Sequence, residues 1–177
     1  MTAPENLTTD PFDSLDDDHF HEECAVFGIF GHPEAAAVAA LGLHAMQHRG
    51  QEACGIVSYS GNQFHAHRAM GQVGDNFSTK DVISQLKGTA CIGHNRYATT
   101  GEVTLRNVQP LFGGMEFGGF AICHNGNLTN SYHLRSQLVR RGSLFQSTSD
   151  TEVIVHLIAT SLRSSVIDRV VDALRQV

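Results

Sequence analysis

Residues 24–59 read CAVFGIFGHPEAAAVAALGLHAMQHRGQEACGIVSY, and this stretch decides the fold class. Its first part, 24–30, is a short apolar run that predicts a buried strand. The run 34–48 carries Ala, Leu and Met at helical spacing and stops just before Gly50, a common way for a helix to end. The last part, 53–59, predicts a second strand, so strand and helix alternate from the start of the apolar sequence.

Further strands and helices follow along the chain. The turn Ser60-Gly61-Asn62 joins 53–59 to a third strand at 64–70, as in a hairpin. Other apolar runs and helical periodicities predict strands at 89–93 and 120–124 and helices at 81–86, 129–140, 150–162 and 166–176. This order favours a layered α+β sandwich over a doubly wound sheet. The last helix has no stop signal, so we expect a domain truncated at its C-terminus.

Charge is concentrated at one end of the chain. The net charge of −6 arises in residues 1–23, which hold eight acidic residues and no Lys or Arg. This leader has little apolar content, so we expect it to be disordered. The remainder has no clustered basic face, which argues against nucleic-acid binding. The longest apolar stretch, 34–46, is too short to span a membrane, and no secretion signal precedes it, so we expect a cytoplasmic protein.

The four cysteines, at 24, 54, 91 and 123, form no CxxC pair. Without a secretion signal, free thiols are favoured over disulfides. Cys54, Cys91 and Cys123 lie inside apolar runs, where a free cysteine usually serves as a small core residue. Cys24 differs because it stands where the acidic leader stops and the apolar sequence begins.

Short polar segments stand at the edges of these predicted elements. They are Cys24, QHRGQE at 47–52, GHNRYATTG at 93–101, HNGNL at 124–128 and SDTE at 149–152. Taken singly, each has an ordinary structural explanation. SDTE is typical of a capped helix start, Asn-Gly is typical of a turn, and an arginine is usually a solvated surface charge.

Together, these segments fit the hydrolysis of the glutamine side-chain amide. A thiolate attacks the amide carbon, and an α-amino group, with a pKa of about 7.7–8.0, can carry protons at neutral pH. An asparagine side chain beside a glycine N–H offers two donors to the tetrahedral oxyanion. The substrate's α-carboxylate calls for an arginine and its α-ammonium for a carboxylate.

The segments ECAVFGI, LHAMQHRGQEACGI, GHNRYATTG, HNGNL and SDTE, in this order from residue 23 to 177, resemble the class II glutamine amidotransferases. These proteins are a branch of the N-terminal-nucleophile hydrolases, and the resemblance implies a four-layer αββα sandwich. The segment QHRGQE and the acidic leader most resemble those of the amidophosphoribosyltransferases of purine synthesis. Glucosamine-6-phosphate synthases, which typically carry a YRGYDS-type segment there, rank second.

The resemblance implies roles for nine residues. Cys24 matches the nucleophile, with its own freed α-amine as the general base, and Asn125 with the Gly126 N–H matches the oxyanion hole. The implied substrate-binding residues are Arg96, Tyr97, Thr99 and Asp150, together with Arg49 and Gly50 in a loop that closes over glutamine. Two departures stand beside these matches, because Ala25 replaces the usual glycine and Ala98 a frequent serine. We expect them to alter packing rather than chemistry.

The resemblance also implies the organisation of the whole protein. Residues 1–23 would be a propeptide that is removed autocatalytically between Glu23 and Cys24. Residues 24–177 would be an incomplete glutamine domain, without the phosphoribosyltransferase domain that uses the ammonia. There, ammonia would attack phosphoribosyl pyrophosphate with Mg²⁺ present, in the first committed step of IMP synthesis. The full-length relatives imply a homo-oligomer, and those with prosegments often hold a 4Fe–4S cluster whose cysteines lie mostly beyond residue 177.

Three other classes of protein remain open at this stage. The chain has 11 histidines, and His19, His21 and Cys24 could contribute to a metal site, although a metal needs about four converging ligands. A papain-like thiol hydrolase would pair Cys24 with a histidine and need no processing. A non-catalytic interaction domain would tolerate the loss of Cys24, Arg96 and Asn125 together.

Overall fold

The computed structural model describes residues 24–97 and 104–177. The strands are β1 (Ala25–Phe30), β2 (Ala53–Tyr59), β3 (Phe64–Met70), β4 (Ala90–Arg96), β5 (Leu111–Met115) and β6 (Gly118–Ile122). The helices are α1 (Ala35–Ala45), α2 (Val73–Asn76), α3 (Lys80–Gln85), α4 (Ser131–Arg140), α5 (Thr151–Thr160) and α6 (Val166–Leu174). Short 3₁₀ turns occupy Gln47–Arg49 and Leu105–Asn107.

The strands form two antiparallel sheets. The first has the order β1-β4-β2-β3, and the second is the β5-β6 hairpin. In the first sheet, Asn95 of β4 pairs with Ala25 on one side and Cys54 on the other. This register brings the residue before β1, Cys24, to the end of β4, next to Arg96 and Tyr97.

Each sheet is covered by helices on one face. One core lies between α1 and the first sheet and includes Leu43, Ile56 and Cys91. The other core lies between the hairpin and the last three helices, and its buried residues are Leu134, Leu138, Val153, Ile154, Leu157, Ile158 and Ala173. The helices supply most of this apolar surface from one side, which is what their helical spacing predicts.

The two sheets face each other. Ile56 packs under α1, so its neighbour Gly55 points to the opposite face of the strand, where the Gln109 carbonyl lies against it. The ring of Phe64 likewise lies against the backbone of Gly119 in β6. The order of layers is therefore helix, sheet, sheet, helix, and the predicted four-layer αββα sandwich is confirmed.

The bounds of the predicted elements lie within about three residues of those observed, and β2 and β3 agree at every residue. β4 runs three residues beyond the predicted strand, because β2 pairs with all of its polar end, His94–Arg96, and β1 pairs with His94 and Asn95. α2 was not predicted, since four residues are too few to show a helical period. α6 ends at Leu174 rather than Gln176. Within 24–97 and 104–177, no helix has the length and apolar character needed to cross a membrane.

Candidate active site

The predicted site residues meet at a cavity of about 360 Å³ at the end of β4. It is lined by Cys24, Arg96, Tyr97, Gln109, His124, Asn125, Gly126, Asn127, Leu128, Ser131, Thr148, Ser149 and Asp150. Six of the nine predicted residues are in this lining. A larger cavity of about 740 Å³ lies against β5 and α5 and contains none of the nine.

Three predicted residues do not line the cavity. Arg49 hydrogen-bonds to the main-chain carbonyl of Cys24. Gly50 packs against the backbone of Arg96, where a Cβ atom on residue 50 would come within 2.8 Å of the Arg96 carbonyl carbon and oxygen. Thr99 lies outside the described residues, as does the departure at Ala98. The prediction that Arg49 and Gly50 belong to a loop closing over glutamine stays a prediction.

Cys24 is fixed at both its side chain and its main chain. Its Sγ accepts a hydrogen bond from the Tyr97 N–H at 3.3 Å and lies 3.4 Å from the Tyr97 carbonyl oxygen. Its own carbonyl oxygen accepts from Arg49 Nε at 2.9 Å and from Asn125 Nδ2 at 3.5 Å. Cys24 has a φ of 61°, a left-handed conformation that a residue other than glycine rarely adopts. These contacts present the thiol to the cavity.

The other three cysteines have environments that suppress the thiolate. Burial raises the pKa of Cys54 to about 12 and the pKa of Cys91 to about 11. Both are buried in the first core, as predicted. Burial also raises the pKa of Cys123 to about 11, although Cys123 is only partly buried. Since the thiolate is the nucleophile, these three thiols are poor candidates for chemistry.

Arg96 reaches the cavity from the last position of β4. It is only 9% exposed, and its Nη1 donates to the Asn107 carbonyl at 3.3 Å. Its Nε is buried and has no hydrogen-bond partner among residues 24–97 and 104–177. A buried guanidinium donor without a partner is costly, and an anionic group in the cavity would satisfy it.

The turn at Asn125-Gly126 forms another wall. Gly126 has a φ of 144°, and a Cβ atom there would lie 3.0 Å from the His124 ring nitrogen Nε2. The conformation favours glycine, and any larger residue would also have to displace the His124 ring. Asn125 and Gly126 both line the cavity, and an amide side chain and a backbone N–H are the kinds of donor that an oxyanion hole uses.

Asp150 does not cap the helix that follows it. It precedes α5 in an αR conformation, and its side chain makes no cap hydrogen bond. Instead, Oδ2 accepts from the Leu128 N–H at 2.9 Å, so the carboxylate is held against the HNGNL segment and lines the cavity. The local pattern SDTE favours a helix cap, but the Asp150 carboxylate instead accepts a hydrogen bond from Leu128, 22 residues away.

His94 lies in the same strand as Arg96 and is completely buried. Burial, together with the positive charge of Arg96, lowers the pKa of His94 to about 4. The ring is therefore neutral at neutral pH and adds no charge behind the site.

Several cavity residues were not predicted from the sequence, among them Gln109 and Thr148. The glycine-rich span 101–119 predicts a loop with a short strand, which β5 at Leu111–Met115 matches. The available signal was the pattern Asn107-Val108-Gln109, in which two amide residues flank an apolar one. Its buried amides act across long sequence distances, which no local pattern shows.

A metal site has no basis in the described part of the chain. Among residues 24–97 and 104–177, no group of three or more His, Cys, Asp or Glu residues could hold a metal ion. His19 and His21, the other proposed ligands, lie outside the described residues.

Comparison with known protein families gives a match over residues 94–175 to the glutamine amidotransferase domain. The amidophosphoribosyltransferase of Rhizobium etli is 57% identical over 176 residues, which cover 99% of this chain and 35% of that protein. The amidophosphoribosyltransferase of Lacticaseibacillus casei is 44% identical over 157 residues, which cover 89% of this chain and 81% of that protein.

Comparison with solved structures agrees with these matches. The structure of the allosteric regulatory enzyme of purine biosynthesis superposes with a TM-score of 0.81 at 44% identity, covering 85% of this chain and 32% of that one. The chain thus spans about a third of the length of the Rhizobium relative and of this solved structure.

Proposed function

Because this chain belongs to the amidophosphoribosyltransferase family, we propose that residues 24–177 hydrolyse the side-chain amide of glutamine and release ammonia. One observation carries the proposal. A single cavity of about 360 Å³ collects a thiol, an amide side chain beside a glycine in the sequence, a carboxylate, and a buried guanidinium whose Nε has no partner among residues 24–97 and 104–177. These are the groups that the reaction needs, and they come from segments up to 126 positions apart, Cys24 and Asp150.

In the proposed binding mode, the charged ends of glutamine select its orientation. Arg96 binds the α-carboxylate through its fork of N–H donors, beside Tyr97 and Thr99, and Asp150 accepts from the α-ammonium. The side-chain amide is then directed at the Cys24 thiol. A carboxylate and an ammonium at fixed positions distinguish a free amino acid from a glutamine residue inside a peptide.

In the proposed reaction, the α-amine of mature Cys24 takes the thiol proton, and Sγ bonds to the amide carbon. Asn125 Nδ2 and the Gly126 N–H stabilise the oxyanion. The C–N bond then breaks, and the amine passes its proton to the leaving ammonia. Water hydrolyses the resulting thioester, which gives glutamate and restores the thiol.

Maturation precedes this reaction, because the α-amine of Cys24 is otherwise held in a peptide bond. We propose that Sγ attacks the carbonyl of Glu23. The C–S bond forms, the C–N bond breaks, and the nitrogen of Cys24 takes a proton. Hydrolysis of this thioester then releases residues 1–23 as the propeptide and leaves Cys24 as the first residue.

The larger enzyme is part of the same proposal. Ammonia would attack phosphoribosyl pyrophosphate in a phosphoribosyltransferase domain, displacing pyrophosphate and forming phosphoribosylamine for purine synthesis. We place Mg²⁺ and a 4Fe–4S cluster in the rest of the full-length protein. We propose that this full-length protein is a homo-oligomer in the cytoplasm. The described residues, 24–97 and 104–177, offer no group of ligands that fits a metal ion or cluster.

The test is an intact mass of the full-length protein after exposure to a glutamine-like electrophile. Loss of residues 1–23 with one adduct on Cys24 is the expected result. Cys24→Ala should keep the leader and take no adduct, whereas a processed Cys24→Ala protein would exclude self-cleavage. Glutamine hydrolysis by protein that keeps its leader would instead favour a papain-like hydrolase.

A further inference from the structure

The segment Asn107-Val108-Gln109 lies against the active-site cavity, and Gln109 is part of the cavity lining. Its three residues are buried, with exposures of 2%, 0% and 4%. Buried amide side chains require hydrogen-bond partners, and their partners show what they hold in place. The two amide side chains hydrogen-bond to Thr148 and His124, and both of these residues line the cavity.

Gln109 holds the wall that carries the oxyanion donors. Its Oε1 accepts from the His124 N–H at 2.7 Å, and its Nε2 donates to the His124 carbonyl at 3.2 Å. Two bonds to one peptide residue fix both its position and its rotation. His124 directly precedes Asn125-Gly126. The two hydrogen bonds from Gln109 therefore set the orientation of the Asn125 amide and the Gly126 N–H.

Asn107 holds the walls that bind the charged ends of the substrate. Its Nδ2 donates to Thr148 Oγ1 at 2.9 Å, and its Oδ1 accepts from the Thr148 N–H at 3.0 Å. Its main-chain carbonyl accepts from Arg96 Nη1 at 3.3 Å. Thr148 lies two residues before Asp150, so Asn107 connects the guanidinium to the segment that presents the carboxylate.

The segment is itself anchored to the first sheet. The Val108 carbonyl accepts from Arg68 Nη1 at 3.1 Å. The Gln109 carbonyl oxygen lies so close to Gly55 of β2 that a Cβ atom there would overlap it. The two amides are therefore held on a rigid support rather than on a free loop.

We propose that Asn107 and Gln109 are positioning residues with separate effects on one reaction. Gln109 sets the oxyanion turn, which matters only once the tetrahedral intermediate forms. Asn107 sets the distance between Arg96 and the Asp150 segment, which matters already when glutamine binds. The inference rests on the proposed glutaminase function.

This division predicts a split between kcat and KM. An interaction made only in the transition state lowers kcat when lost, whereas lost ground-state binding raises KM. Gln109→Met removes both bonds to His124 and should lower kcat for glutamine by about 10- to 100-fold, with KM within about twofold. Asn107→Leu should raise KM by about tenfold or more, with kcat within about threefold.

The measurement is steady-state glutamine hydrolysis by the full-length, processed protein. Gln137→Met, on the exposed side of α4, is the matched control and should change neither constant. Gln109→Glu and Asn107→Asp keep one acceptor each and replace the donor by a carboxylate oxygen, so they should show the same split. These two variants test the inference even where the apolar substitutions prevent folding.

Parallel changes of kcat and KM in both positions would mean a merely structural role and would overturn the inference. So would unchanged constants at either position. These results differ from a failure of the proposed function, in which the wild-type protein itself would hydrolyse no glutamine.

Discussion

Arg49 donates its Nε–H to the main-chain carbonyl oxygen of Cys24 at 2.9 Å. Arg49 ends the 3₁₀ turn after α1, so this turn holds the residue that precedes β1. A hydrogen bond from a charged donor is worth about 1.5–3 kcal/mol when its geometry is good. Arg49 is thereby a candidate for orienting the nucleophile, in addition to the loop role that the resemblance implies.

Replacing this guanidinium should slow the chemistry of Cys24. We expect Arg49→Gln to reduce the rate of Cys24 labelling by a glutamine-like electrophile by about tenfold, because the carbonyl loses a charged donor. Arg141→Gln, on an exposed residue after α4, is the control and should leave the rate unchanged. Equal rates for wild type and Arg49→Gln would show that this contact does not orient the thiol.

Arg96→Lys should impair glutamine binding although it keeps the charge. A lysine ammonium cannot reproduce the planar fork, so the α-carboxylate loses its paired bonds. We expect kcat/KM for glutamine to fall by about 30-fold or more, mainly through KM. The exposed Arg140→Lys should behave as wild type. A kcat-only effect would place Arg96 at the reacting amide instead of the carboxylate.

Gly126→Ala tests the oxyanion turn through its backbone. A φ of 144° is strained for alanine, and the new Cβ would press on the His124 ring. The Gly126 N–H should move, and kcat should fall by about 100-fold with little change in KM. Gly142→Ala is the matched control, since Gly142 also has a positive φ, 95°, but open space around it. Equal losses in both variants would indicate general backbone strain.

The part of the site that the sequence reveals is the part carried by contiguous motifs. Cys24 and the Asn125-Gly126 turn are predicted as site residues from the five motifs taken together and from the family resemblance, since each motif alone has an ordinary structural explanation. Their meeting at one cavity could be expected because strand ends gather there. The length of β4, however, depends on its pairing with β1 and β2. The polar segment 94–96 does not by itself indicate that the strand continues.

What the sequence does not reveal is the support around those motifs. Gln109 and Asn107 hydrogen-bond to His124 and Thr148, which are 15 and 41 positions away in the sequence. The local sequence around the two amides does not indicate these partners. Asp150 shows the opposite case, where the local pattern favours a helix cap and a distant N–H takes the carboxylate. Tertiary contacts decide both cases.

His94 should make the stability of the domain depend on pH in a defined window. Its folded pKa is lowered to about 4 by burial and by Arg96, against 6.5 for an ordinary histidine. As pH falls from about 6.5 to about 4, the unfolded chain therefore binds a proton that the folded domain excludes. The free energy of unfolding should decrease over this window, by up to about 3 kcal/mol from this residue, and His94 should contribute no slope above it.

The measurement is urea unfolding of wild type and His94→Gln, followed by circular dichroism between about pH 4.5 and pH 7.5. At the upper pH the histidine is neutral in both states, so the variant shows only the cost of altered packing. The difference between the two pH values then isolates the excluded proton. We expect the variant to lose less stability than wild type on acidification. Equal losses of unfolding free energy in the two proteins would mean that His94 becomes protonated in the folded domain. The folded protein would then hold a second positive charge next to Arg96.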